Sequence, residues 1–98
     1  IATLTVHPET VEMFHDYERR VAKIMERHGG RIERAVVLDP DPEDHYYREC
    51  HMVSFPDREA LAAYRDDADF KALAEMRVSC VLATSIRYGT AGDDYHNV

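Results

Sequence analysis

An α+β fold, with four antiparallel strands and helices packed on one face, is what the order of patterns along the chain predicts. Four short segments are β-branched or alternate apolar with polar residues, the mark of half-buried strands. Two amphipathic helical stretches follow the first and the third of them. The second and third segments are joined only by a short acidic loop, too short for a crossover helix and suited to a hairpin.

The elements follow in order. "IATLTV" (residues 1–6) alternates and forms the first strand. Pro8 suits a first helical turn, and Glu9 and Glu12 favour the positive end of the helix dipole. Val11, Phe14, Tyr17, Val21, Ile24 or Met25, and His28 then recur every three or four positions, giving an amphipathic helix of about 20 residues. "HGG" at 28–30 ends it, with Gly29 as a left-handed cap. "RIERAVVLD" (31–39) is the second strand, with Ile32, Val36 and Leu38 expected in phase on one face. "PDPED" cannot extend a ladder and forms the loop.

Residues 46–55 are the third strand, stopped by Pro56. Asp57 caps a short helix over "REALAAYRD", and Asp67 or Asp69 caps a restarted helix over "DADFKALAEMR", with Phe70 and Leu73 facing inward. "CVLATSIRY" (80–88) is the last strand, and "GTAGDDYHNV" is a tail without periodicity. The result is β-α-β-β-α-β, the split-βαβ or ferredoxin-like plan, read as a single domain over 1–98 with a core of 1–88 and a tail of 89–98. In that plan the third strand is central, beside the first.

A chain of 98 residues builds one thin-cored domain, burying roughly 60–65% of its unfolded surface. Twelve Lys and Arg against nineteen Asp and Glu leave a net charge of −7, which repels nucleic-acid phosphates and anionic lipid alike. No apolar run approaches the ~20 residues of a membrane span and no signal-peptide pattern is visible. The two cysteines, Cys50 and Cys80, lack metal-ligand or C-x-x-C spacing and read as reduced, buried thiols. A cytoplasmic protein without nucleic acid, membrane, metal or cofactor is expected.

The sequence puts its candidate chemistry on the third strand. Tyr47, Glu49, His51, Val53 and Phe55 share one face of it, and Arg48, Cys50, Met52 and Ser54 share the other. Val53 and Phe55 belong beneath the helices, so His51 points into the sheet–helix cleft with Glu49 beside it. A His next to a carboxylate in a partly dry cleft is a general acid or base, and equally a core histidine bonded to its neighbour. His15 sits on the rim of the first helix's apolar stripe and looks into the same cleft, or stays exposed. Tyr17 offers a hydroxyl from within the stripe, or simply packs. Arg34 interrupts the apolar face of the second strand, where it binds a substrate anion or pairs with Glu49 across the hairpin. A metal set of His15, His51 and Glu49 is not demanded by the spacing. His7, His45 and His96 read as surface residues. The helix-free face, with Cys50, Met52 and either Ala83 or Thr84, reads as an interface with a second copy of the chain.

The stretch "FPDREALAAYRDDADFKALAEMR" carries Phe55-Pro56 before a helix start, Tyr64 just before "DDAD", and Phe70 with Ala72-Leu73 and Arg77. Together with "HGG" at 28–30 these features resemble the DUF1330 family of the dimeric α+β barrel superfamily, over roughly residues 8–88. The chain departs from the family pattern at Ser54, where an acidic residue is frequent, and at "DPDPEDHYY", which replaces a Gly-rich strand end. The resemblance implies a homodimer whose sheets form a shared barrel and a small-molecule cavity between sheet and helices. Neighbouring families hold cofactor-free oxygenases, cyclases, isomerases and haem-binding enzymes. The sequence-based expectation is acid/base chemistry by His51 and Glu49, with His15, Tyr17, Arg34 and Tyr64 holding the substrate. The alternative is a non-catalytic homodimer that binds a metabolite or serves a structural or stress-related role.

Overall fold

Strand β1 (Ala2–Val6) runs through a 3-10 turn (Pro8–Thr10) into helix α1 (Val11–Arg27). Strands β2 (Arg31–Val37) and β3 (Tyr47–Ser54) follow as a hairpin, then three short helices, α2 (Arg58–Asp66), α3 (Ala68–Ala72) and α4 (Ala74–Cys80), and strand β4 (Ala83–Ile86). This computed structural model describes residues 1–96; Asn97 and Val98, the end of the expected tail, lie outside the described residues. The sheet order is β2-β3-β1-β4, every neighbour antiparallel, with β3 central beside β1 as the sequence predicts. The fold is ferredoxin-like.

Local chemistry explains the boundaries. Gly29 takes φ 74° at the end of α1. Gly30 has no room for a side chain: a Cβ there would stand 2.4 Å from Phe55 Cε1. The Asp57 carboxylate accepts from the Ala60 N–H and caps α2. Asp67 caps α3 through the Asp69 N–H, and also bonds His28 Nε2 at 2.8 Å, tying the end of α1 to the start of α3. The restarted helix breaks once more at Leu73, and Cys80 ends α4, so β4 starts later than "CVLATSIRY" suggests.

The register assigns the faces. Ala2, Leu4 and Val6 of β1 lie opposite His51, Glu49 and Tyr47, all beneath the helices. Thr3 and Thr5 face the other way with Cys50 and Arg48. On β4, Ala83 rather than Thr84 shares that uncovered face. The core is Leu4, Val6, Phe14, Tyr17, Val21, Ile24, Met25, Tyr64 and Cys80. Val6 and Phe14 are fully buried, each contributing about 1.5–3 kcal/mol of transfer free energy. Cys80 is buried and Cys50 only half-buried; both are free thiols.

Strand β2 departs from simple alternation. Ile32 pairs with Val53 but Arg34 pairs with Met52, leaving Glu33 as the extra residue of a β-bulge. Beyond it the phase is inverted: Ala35 joins His51 beneath the helices, while Arg34 and Val36 turn to the uncovered face with Met52 and Cys50. Ile32, Val36 and Leu38 therefore do not share a face, and Arg34 does not interrupt a cleft-facing row. No helix among the described residues is long and apolar enough to cross a membrane.

Candidate functional site

Helix α1 lies across β2 and β3 and presents His15, Glu18, Arg19 and Ala22, spaced three and four apart, along one side. Opposite them stand Glu49 and His51 of β3, and Ile32 and Ala35 of β2, the latter brought there by the bulge. These residues line an open cleft of about 380 Å³. His51 is 4% exposed and Glu49 is 7% exposed, so two titratable groups are sunk into the wall.

The network in that wall is continuous. Glu49 Oε1 accepts from His51 Nε2 at 2.8 Å. Glu49 Oε2 accepts from the Tyr47 hydroxyl, and His15 Nε2 stands 3.2 Å from both that oxygen and the hydroxyl. On the far side of the imidazole, His51 Nδ1 lies 3.8 Å from Glu18 Oε2, a gap that a hydrogen bond does not close. The ring of Phe14 stacks on His51 with centroids 6.4 Å apart.

Electrostatics sets the two carboxylates apart. Burial pushes Glu49 up, but the hydrogen bonds from Tyr47, His51 and His15 outweigh it and hold its pKa below the ordinary carboxylate value. Glu18 has no such donors; burial raises its pKa, and the charges of His51 and Arg77 only partly offset that. The Tyr47 hydroxyl is raised by burial and by its bond to the Glu49 carboxylate, and so stays a donor.

Of the residues the sequence singles out, Glu49, His51 and His15 come together here. Tyr17 does not join them. It lies two positions past His15, about 200° round the helix, and so flanks the opposite side of the stripe. There its hydroxyl accepts from Arg77 Nη1 at 3.4 Å, in a second cavity. Tyr64 is buried in an aromatic cluster, 4.5 Å from Phe70 and 5.3 Å from Phe55 between centroids, because α2 covers the end of β3 rather than its middle. Arg34 is a correction: the bulge turns it to the uncovered face and exposes it, so it reaches neither the cleft nor Glu49. Arg77, part of the family-like pattern near the end of the last helix, donates to the Tyr17 and Thr84 hydroxyls. Arg48 clamps Asp44 at 2.6 and 3.0 Å, and that bond, with the Tyr46 N–H, pulls Asp44 down to about 2. His7, expected at the surface, is half-buried edge-on against Tyr46, 5.4 Å away.

Sequence reasoning missed Glu18 and Arg19. Glu18 was within reach, since it stands four residues after Phe14 and three after His15. Although His15, His51 and Glu49 converge, no group of three His, Cys, Asp or Glu side chains among the described residues is arranged to hold a metal ion.

Comparison with solved structures returns the same fold. A Nitrosomonas europaea protein assigned to antibiotic biosynthesis monooxygenases superimposes with a TM-score of 0.63 at 16% identity, covering 91% of this chain and 85% of that one. SnoaB, a cofactor-independent oxygenase from Streptomyces nogalater, gives 0.57 at 19% identity, covering 94% and 93%. A Pseudomonas aeruginosa protein gives 0.60 at 18% identity, covering 92% and 90%. The curated proteins give no match. A family model for a domain of unknown function, DUF1330, matches residues 1–86, and the chain belongs to that family.

Proposed function

We propose that the chain is a cofactor-independent enzyme that moves a proton on a small organic molecule held in the cleft beside His51. The observation that supports this reading is the imidazole's place between two carboxylates of opposite character. Donation from Nε2 to Glu49 puts the ring proton on that nitrogen and leaves the Nδ1 lone pair facing Glu18. A carbon or hydroxyl acid in the cleft loses its proton to Nδ1. Glu49 then compensates the imidazolium, and the proton taken up by Nδ1 returns to a neighbouring atom of the substrate, directly or through the Glu18 carboxylate 3.8 Å away. The enolate formed in this way is a shared first intermediate of isomerisation and cyclisation, and of oxygenation where O₂ is the oxidant. One fold neighbour, SnoaB, is a cofactor-independent oxygenase, which supports this reading. His15 orients Glu49, and Arg19 at the rim favours an anionic substrate.

The protein is further read as a homodimer through the uncovered sheet face. Val36 and Met52 are 47% and 53% exposed there, with Leu38 next in phase and the uncharged Thr3, Thr5 and Ala83 alongside. Two such faces packed together cover both.

One observation favours the non-catalytic reading. Among the described residues every side-chain nitrogen and oxygen wholly shut off from solvent already has a hydrogen-bond partner. Glu49 accepts three hydrogen bonds without any ligand. Deuterium exchange separates the readings. Wild-type protein is incubated in D₂O with enolisable ketones and polyhydroxylated aromatics, and loss of C–H signals is followed by NMR. Exchange of at least one compound, reduced about 100-fold or more in His51→Asn, is expected. No exchange above buffer, or exchange indifferent to His51→Asn, overturns the enzyme reading in favour of the binding or structural homodimer.

A further inference from the structure

The second cavity lies on the other flank of α1, about 390 Å³ in volume, lined by Tyr17, Phe70, Lys71, Ala74 and Arg77. It shares no lining residue with the His51 cleft. Phe70, Ala74 and Arg77 recur at helical spacing across α3 and α4, so an apolar wall and a cation face one space.

Arg77 is unlike the other well-placed arginines. Arg27 bonds Asp69, and Arg48 grips Asp44 with two bonds. Arg77 is half-buried, yet among the described residues its side-chain partners are two neutral hydroxyls, Tyr17 at 3.4 Å and Thr84 at 2.7 Å. Two of its five N–H donors are used, so three are left for a ligand. A half-buried guanidinium without a carboxylate is costly unless something supplies the charge. Glu18, the acid whose field reaches Arg77, makes neither a hydrogen bond nor an ion pair to it among the described residues. Lys71 adds a second positive charge on the same lining, held only by a 3.7 Å contact with exposed Asp66. In a chain of net charge −7 this is a local positive focus.

We propose that this cavity binds a small monocarboxylate with an apolar body, the carboxylate on Arg77 with Lys71 beside it and the body against Phe70 and Ala74. Planar bidentate recognition is what a guanidinium does best, and an aromatic wall suits an aryl or short branched acid. The site stands independently of the chemistry read at His51.

Sodium benzoate is the probe, titrated into the full ¹⁵N-labelled chain at constant ionic strength, with benzyl alcohol as its uncharged counterpart. The expected result is saturable shifts centred on residues 70–77 and Tyr17, with a millimolar dissociation constant, the range open to so small a ligand. Benzyl alcohol binds about tenfold or more weakly, Arg77→Gln weakens benzoate about tenfold, and Lys71→Ala weakens it about twofold to threefold. Ala74→Trp fills the cavity from an exposed position and abolishes binding with Arg77 intact, which carries the test should Arg77→Gln fail to fold. His51→Asn leaves binding unchanged. The proposal is overturned by shifts that do not saturate, by shifts centred on Glu49 and His51, by equal binding of the alcohol, or by benzoate binding that survives Ala74→Trp.

Discussion

Glu18 and Glu49 flank one imidazole, yet their surroundings move them in opposite directions. Glu49 is lowered by its donors, so its contribution to stability is present above the unfolded carboxylate pKa and is lost as pH falls through the folded value. Glu18 is raised, so the folded state binds its proton more tightly than the unfolded chain does. Its contribution is present below the unfolded pKa and is lost as pH rises through the folded value. Glu49→Gln is therefore expected to lower the melting temperature at pH 7 by several degrees, with the deficit shrinking in acid. Glu18→Gln is expected to raise it by a smaller amount at pH 7, with the gain vanishing below about pH 4. Thermal melts of both variants from pH 3 to pH 8 check this. Parallel curves for the two variants would contradict the opposed shifts. The same pair shows what a sequence hides: Glu49 stood out because it broke an apolar strand, whereas Glu18 looked like one more acid on an exposed-looking helix. Its surroundings come from β3, thirty residues away in the chain.

Strand β2 is where one extra residue redirects side chains. Ile32 was read into the same face as Val36, and Arg34 into the cleft, because alternation was carried straight through Glu33. The bulge inverts the phase there, places Ala35 beside His51 and frees Arg34. Deleting Glu33 should consequently be tolerated. It removes the unpaired residue and a surface bond from the Ser54 hydroxyl, while Ile32 and Ala35 keep their face. A loss of no more than about 1 kcal/mol, or roughly 4–8 °C in melting temperature, is expected. If the strand slipped by one instead, Arg34 would be driven beneath α1 and the deletion would unfold the protein. A melting curve of the deletion variant decides it. The helices were better legible, since Asp57, Asp67 and Gly29 signal their ends through local hydrogen bonds and φ preference. The break at Leu73 carries no such signal.

The described residues form a slab of 39 × 38 × 17 Å, one helix layer on one sheet, with a radius of gyration of 14.5 Å against about 13 Å for a rounder chain of this length. Such a slab leaves one sheet face bare, and the bare face is the one with Val36 and Met52. In the proposed homodimer, Met52→Asp places a charge at the centre of the pairing and should weaken association at least about 100-fold. Because Met52 is exposed in the single chain, the variant should keep its fold. Sedimentation equilibrium of wild type and variant tests this: a monomeric wild type, or a Met52→Asp dimer of unchanged affinity, contradicts the pairing.

Local chemistry was enough to specify four strands, the helices between them, their caps and the placing of His51 and Glu49 on the helix-facing side of a central strand. Each of those depends on periodicity or on bonds between near neighbours, which a single sequence displays. The partners of His51, the separation of His15 from Tyr17 into two cavities, and the direction of Arg34 required the packed chain. They depend on which helix flank crosses which strand and on one bulge, and those are settled by long-range packing that leaves no periodic trace in the residues themselves.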